Sequence, residues 1–352
     1  MLERRKSEHL RINLEEDVSF PRLRTGLERY RFIHNALPEI SLEQVDTTTT
    51  FLGKPLRLPL LISSITGGTA DALRINYHLA EGAQAAGIAM GLGSLRAALE
   101  APHVAETFRV RNLAPDIPLF ANLGAAQLKT ESALEACQQV VDLTGADALI
   151  IHLNPLQEAL QSNGNTDWRG ILSRIEHVCR RLEVPVIVKE VGWGISADVA
   201  LRLASAGVSA IDVAGSGGTS WSQVEMHRAR TGRLRRLSKQ FADWGIPTAE
   251  SLVEVRAALS EMPIVASGGL RSGMDLAKVL ALGANLGGVA GPFLQAANNS
   301  AADVADMARQ IGDVLRTVMF CLGVRNIDSL QDASLLRRIP PRDIVQGDPS
   351  CP

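Results

Sequence analysis

What most limits how this chain can fold is a count. Eight short apolar runs recur along it, each ending in small or polar residues, with amphipathic stretches between them. They are Pro59–Thr66, Ile88–Gly91, Pro118–Asn122, Ala148–His152, Pro185–Lys189, Ala210–Ala214, Pro263–Ser267 and Leu286–Ala290. Continuous rather than alternating apolar runs are the pattern of strands covered on both faces. Helices are expected between them, over Ser132–Thr144, Asp167–Leu182, Ser196–Ala206, Ala249–Leu259 and Gly273–Leu282. Several close on a glycine just before the next run, at Gly87, Gly145, Gly207 and Gly283, where a helix stop is expected. Eight βα units in series predict an α/β fold, a (β/α)8 TIM barrel whose working face lies at the strand C-termini. A doubly wound open sheet is the rival. It would carry a G-x-G-x-x-G loop after its first strand, and none is there.

The chain has 352 residues, 46% of them hydrophobic, enough for one large core. It divides into an N-terminal helical lead-in (1–50), a barrel (51–300) and a tail (301–352), read as one domain. The lead-in is charged, anchored by Phe20, Tyr30 and Phe32, and placed to fold over the barrel mouth. The tail is helical over 303–338, with a loose end from Pro340. A net charge of −2 gives no bulk attraction to nucleic acid or acidic membranes. The opening MLERRKSEHLRINLEED is too charged for a signal peptide, and no apolar run reaches membrane-spanning length. Cys137, Cys179, Cys321 and Cys351 show no metal or redox spacing, so a reduced, cytoplasmic setting is expected.

Polar residues gather at every strand exit. They are Ser64 with Thr66-Gly67-Gly68; Gly93 to Arg96; Asn122; His152 to Glu158; Lys189-Glu190; Ser216 to Trp221; Ser267 to Arg271; and Ala290-Gly291-Pro292. One such exit is turn chemistry; eight together describe a ligand site. Strand side chains alternate, so His152 and Asn154 share a face. The plainer reading of His152 is a satisfied core histidine. Ser267-Gly268-Gly269, followed by Arg271 and a helix start, suits an anion, because glycine amides and a helix N-terminus both favour negative charge. A phosphate there could belong to a sugar phosphate or a nucleotide. Lys189 ends a buried strand and must be paired or touch a ligand. It could form a Schiff base or hold negative charge on a flavin ring. Asn122, Ser94 and the second cradle Ser216–Thr219 favour a ligand of FMN size. Arg4, Arg5, Lys6 and His9 in the lead-in, with Arg96 and His152 as cationic donors at the mouth, suggest a second anion pocket. Glu158 would there hold Mg2+ bridging to diphosphate oxygens.

With these residues in view, the chain resembles the type 2, FMN-dependent isopentenyl-diphosphate delta-isomerases over nearly its whole length. The resemblance rests on Arg5-Lys6-x-x-His9, Thr66-Gly67-Gly68, Gly93-Ser94-x-Arg96, Asn122-x-Gly124, His152-x-Asn154-x-x-Gln157-Glu158 and Lys189-Glu190. Gly217-Gly218-Thr219-Ser220-Trp221 with Glu225, and Ser267-Gly268-Gly269-x-Arg271-x-Gly273, complete it. It implies an isomerase of isoprenoid biosynthesis that converts isopentenyl diphosphate to dimethylallyl diphosphate. The cofactors implied are reduced FMN and Mg2+, with NADPH or NADH as reductant. FMN would contact Ser64, Ile65, Thr66, Ser94, Asn122, Lys189 and Thr219, and its phosphate Gly268, Gly269, Arg271, Ala290 and Gly291. The substrate would meet Arg5, Lys6, His9, Ser94, Leu95, Arg96, His152, Asn154 and Gln157, with Glu158 on Mg2+. Flavin N5 would be the main acid and base, assisted by Gln157, Glu225, Trp221 and Lys189. Ile65 and Gly291 depart from the family pattern, which more often has methionine and arginine there; Gly291 leaves the phosphate to backbone and Arg271. A homo-tetramer or homo-octamer is implied.

Two other enzyme readings remain to be weighed. An FMN-dependent 2-hydroxy acid oxidoreductase would share the barrel, but needs a histidine base near the later strands. A dehydrogenase of the inosine monophosphate type needs a cysteine after the sixth strand, where this chain reads SGGTSW. A non-enzymatic flavin-binding barrel is the third alternative.

Overall fold

The computed structural model describes residues 2–340, with side chains from Arg5 onward. The loose end expected after Pro340, Cys351 and the Arg4 side chain lie outside the described residues. Eight parallel strands close into a barrel. In chain order they are β1 (Leu60–Ile62), β2 (Ala89–Gly91), β3 (Leu119–Gly124), β4 (Ala148–Leu153), β5 (Val186–Glu190), β6 (Ala210–Asp212), β7 (Ile264–Ser267) and β8 (Leu286–Val289). Each lies within a run read from the sequence or within two residues of it. The five expected helices are present, at Ala133–Thr144, Ile171–Arg181, Ala197–Ser205, Thr248–Ala258 and Gly273–Ala281. Gly87 and Gly145 form left-handed C-caps, as their positions implied.

Every strand sends alternate side chains inward. The lower inward positions, Leu61, Ala89, Phe120, Ile150, Ile187, Ala210, Val265 and Leu286, form an apolar plug inside the barrel. Beneath it the antiparallel hairpin Thr49–Phe51/Lys54–Leu56 closes the bottom, sending Phe51 and Leu56 into the same cluster. The larger core lies between the strands and the outer helices.

The lead-in and tail differ from expectation. Only Leu2–Glu15 (α1) of the lead-in is a long helix; much of the rest is irregular. The tail is helical over Ala301–Leu322 and Ile327–Leu330, then ends in a strand, Leu336–Arg338, paired antiparallel with Tyr30–Phe32 of the lead-in. The crossover after β2 is also irregular, a five-residue helix (Arg96–Glu100) followed by 3-10 turns.

Candidate active site

One inward position above the apolar plug, the barrel lining changes character. Ser63, Gly91, Asn122, His152, Lys189, Asp212, Ser267 and Gly288 each lie two residues beyond a plug residue. All of this polar ring except Gly91 and Asp212 floors a cavity of about 560 Å3 at the strand C-termini, within the usual size of small-molecule sites. Two short hydrogen-bond chains order it. His152 Nδ1 meets Asn122 Oδ1 at 2.7 Å, and Asn122 Nδ2 donates to Ser64 Oγ at 2.8 Å. Lys189 Nζ donates to Glu190 O at 3.0 Å and Ser267 Oγ at 3.3 Å, and lies 3.3 Å from Asp212 Oδ2. Asn122 Oδ1 only accepts, so the His152 proton sits on Nδ1. Burial, then the charges of Lys189, Lys6 and Arg5, push the His152 imidazole down to about 3. It is therefore neutral here, which corrects the expectation of a cationic donor; the sequence could not show three cations converging on it.

On one side of the cavity the loops after β6 and β7 meet backbone to backbone. A Cβ on Gly218 would lie 2.6 Å from Gly269 N, and one on Gly268 would lie 2.0 Å from Gly215 O. Gly268 and Gly269 also hold positive φ, +102° and +83°, which side-chain-bearing residues rarely adopt. Among the described residues the amides of Gly269 and Gly291 donate to nothing. The start of the helix Gly273–Ala281 is already answered: Asp275 Oδ2 accepts from the amides of Arg271 and Ser272, and Ser272 Oγ caps Asp275 N. The free helix start facing the cavity is that of Gly291–Asn299. Arg271, Thr219 and Ala290 line the same wall.

The helix α1 also contributes to the cavity lining and brings Arg5, Lys6 and His9 into it. Lys6 Nζ donates to Ser94 O at 2.7 Å, and Arg5 donates to Gln161 Oε1 at 3.3 Å. His9 Nε2 lies 3.2 Å from Glu225 Oε1 and packs edge-on against Trp221. Gln157 Nε2 donates to the same Glu225 oxygen at 3.2 Å, and Arg228 donates to the other at 2.7 Å. Glu225 thus joins the arm to the helix Pro155–Leu160 that carries Gln157. Burial alone would raise Glu225, but the His9 hydrogen bond and the cations around it bring it below its ordinary value. Burial, then Arg5 and Arg96, pushes Lys6 down to about 7. An anion placed among these groups would offset both the burial and the repulsion.

Glu158 Oε2 accepts Asn165 N–H at 2.6 Å and Oε1 accepts Asn154 Nδ2 at 3.2 Å. Asn154 Oδ1 is buried without a partner, so this residue offers an acceptor rather than a second donor. Among the described residues no cluster of three His, Cys, Asp or Glu could hold a metal alone. Any cation at Glu158 would need further oxygens from ligand or water.

Nearly all the site residues named from the sequence line this cavity, including Ser64, Ile65, Thr66, Ser94 and Arg96. Two do not. Leu95 is fully buried in the main core, held by its amide to Asn122 O, so its side chain cannot reach a substrate. Glu225 stands behind Gln157 and His9. Sequence reading missed Asp212, Ser63, Gln161 and Arg228. Asp212 could have been found by the rule applied to Lys189, since both are charges ending an apolar strand.

A family profile described as FMN-dependent dehydrogenase matches residues 1–107 and 128–337, and the chain belongs to that class of flavin barrels. Solved structures of similar fold include mandelate oxidase with (S)-2-phenylpropionate, with TM-score 0.66 and 20% identity over 96% of both chains. A lactate oxidase of Pediococcus acidilactici has TM-score 0.64 at 19% identity, covering 94% of this chain and 87% of that one. Curated relatives narrow the class. An isopentenyl-diphosphate delta-isomerase of Nostoc is 52% identical, covering 95% of this chain and 96% of that protein. One of Synechococcus is 54% identical over 96% and 97%, and one of Rickettsia africae 51% over 94% and 96%. The chain belongs to the isopentenyl-diphosphate delta-isomerase family. Its residues fit an FMN: a glycine cradle with free amides, then a hydrogen-bonding polar ring bearing one lysine.

Proposed function

We propose that this protein converts isopentenyl diphosphate to dimethylallyl diphosphate with bound FMN and Mg2+. The carrying observation is that one cavity gathers two sets of groups suited to anions: a glycine cradle beside Arg271, and a cationic set of Arg5, Lys6 and Arg96 from the arm and the β2 exit. Gly268, Gly269, Gly291 and Arg271 hold the FMN phosphate, while Ser64, Ile65, Thr66, Asn122, Lys189 and Thr219 orient its ring. Arg5, Lys6, His9, Ser94, Arg96 and His152 receive the diphosphate. Glu158 would supply one oxygen to Mg2+, and the unpartnered Asn154 Oδ1 beside it would offer a further acceptor. Reduced FMN supplies an electron-rich ring that can give and take a proton at the alkene. Gln157, held by Glu225, orients the alkene end, and Trp221 with the closed arm excludes water. The reaction is redox-neutral, so NADPH or NADH serves only to bring the flavin to its reduced state.

The protein is read as a single domain that works in the cytoplasm as a homo-tetramer or homo-octamer. Among the described residues no helix is long and apolar enough to cross a membrane, and Ile33, Leu37 and Leu42 form exposed apolar positions suited to subunit contact. The test is the purified protein. It should be yellow, and active on isopentenyl diphosphate only when reduced and given Mg2+. Colourless protein, or oxidation of 2-hydroxy acids without isomerisation, would overturn the reading.

A further inference from the structure

Asp212 has no task in the reaction above, yet it is among the most deeply buried charges in the barrel, 1% exposed. It stands directly opposite Lys189 in the parallel register of β5 and β6. Its Oδ1 accepts the Ser267 hydroxyl at 2.7 Å and the Ala214 amide at 3.2 Å. Its Oδ2 has no aligned hydrogen bond and touches Lys189 Nζ at 3.3 Å. Ser267 spends its one proton on the carboxylate, so its lone pair is what receives the lysine. The result is a directed chain from Lys189 through Ser267 to Asp212, reinforced by the direct ion pair.

A lysine is a point charge on a flexible stem. To act on one edge of a flavin it must be held in place, and a buried ammonium needs a counter-charge. We propose that Asp212 is a positioning residue which, directly and through Ser267, holds Lys189 against the flavin ring. The inference rests on the flavin reading above. Asp212 itself is absent from the cavity wall, whereas Lys189 and Ser267 line it.

The experiment compares Asp212→Asn, Ser267→Ala, Lys189→Met and the double variant Asp212→Asn/Lys189→Met in the FMN-loaded protein. Three quantities are read: the FMN dissociation constant by flavin fluorescence, the flavin reduction potential by spectroelectrochemical titration, and KM for isopentenyl diphosphate. Removing the lysine takes a cation from beside the reduced ring and lowers the potential. Asp212→Asn should move the potential the same way and weaken FMN binding by roughly tenfold, in the range of coupling between contacting residues. The double variant should bind no worse than Lys189→Met, with KM unchanged in Asp212→Asn. A potential that rises in Asp212→Asn would mean the carboxylate acts only through its own field, and the proposal fails. It fails equally if the two single effects add, or if neither flavin quantity moves. Should Asp212→Asn not fold, Ser267→Ala leaves the Ala214 turn intact and is judged on the same two flavin readings. Wild-type protein that retains no FMN would sink the functional reading instead, a distinguishable result.

Discussion

Diphosphate binding should take up a proton, and Lys6 should be where it goes. In this cavity burial and the neighbouring charges of Arg5 and Arg96 push its ammonium down to about 7, against an ordinary 10.5. A diphosphate seated among Arg5, Lys6 and Arg96 replaces repulsion with attraction and restores the charged form. The free protein then binds fewer protons than the complex at pH values above about 7, so affinity falls as pH rises. If the ordinary value is fully regained, affinity drops roughly a hundredfold between about pH 6 and about pH 9, and at about pH 7 binding takes up about half a proton. Calorimetric titration of the FMN-loaded protein with inorganic diphosphate, in buffers of different ionisation heat, counts that proton. Lys6→Met serves as the reference, since the probe's own ionisation is common to both. Equal proton counts and equal pH slopes in the two proteins would refute the reasoning.

Other predictions concern the floor and bottom of the cavity. Folding holds His152 near 3 rather than 6.5, so the unfolded chain takes its proton first as pH falls. Urea midpoints of the wild type should therefore decline from about pH 6.5 towards about pH 3, and His152→Gln should flatten part of that decline. Gly288→Ala would place a Cβ 2.6 Å from Ser63 Oγ and 2.7 Å from Ser267 Cβ. It should cost about 1–3 kcal/mol and reduce bound flavin, read by thermal melting and absorbance. Gly291→Ala, whose Cβ meets nothing within 4 Å, should leave packing stability nearly unchanged in the same melts. Phe51→Ala should cost about 3–5 kcal/mol in denaturant unfolding, with flavin content per folded molecule preserved, because the hairpin lies below the polar ring.

The barrel was legible because its strands are buried on both faces and so read as unbroken apolar runs. The ribbon joining Tyr30–Phe32 to Leu336–Arg338 was not. Three-residue strands such as YRF and LRR carry no periodicity, and their pairing is fixed only by where the rest of the chain leaves them. The site divides the same way. Glycines and polar residues at strand exits announced a cavity, and the arm's basic motif, Arg5, Lys6 and His9, does line it. Neither the neutral state of His152 nor the burial of Leu95 could be read, since each depends on what converges from other strands. The helix after Arg271 promised a free positive end, but Asp275, four residues on, occupies its amides. The meaning of Asp212 lay in its register with Lys189, which sequence spacing alone does not give.

The ribbon also sets an order of events during synthesis. Its two strands stand roughly three hundred residues apart, Tyr30 opposite Arg338. A strand pair of such separation forms only after the intervening barrel has brought its ends together, because loop closure costs entropy that local contacts must first offset. Meanwhile α1, made first, waits for Ser94, Gln161 and Glu225, its partners from three later segments. Through most of translation the basic arm lacks these partners, and the pairing of Tyr30–Phe32 with Leu336–Arg338 is fastened last.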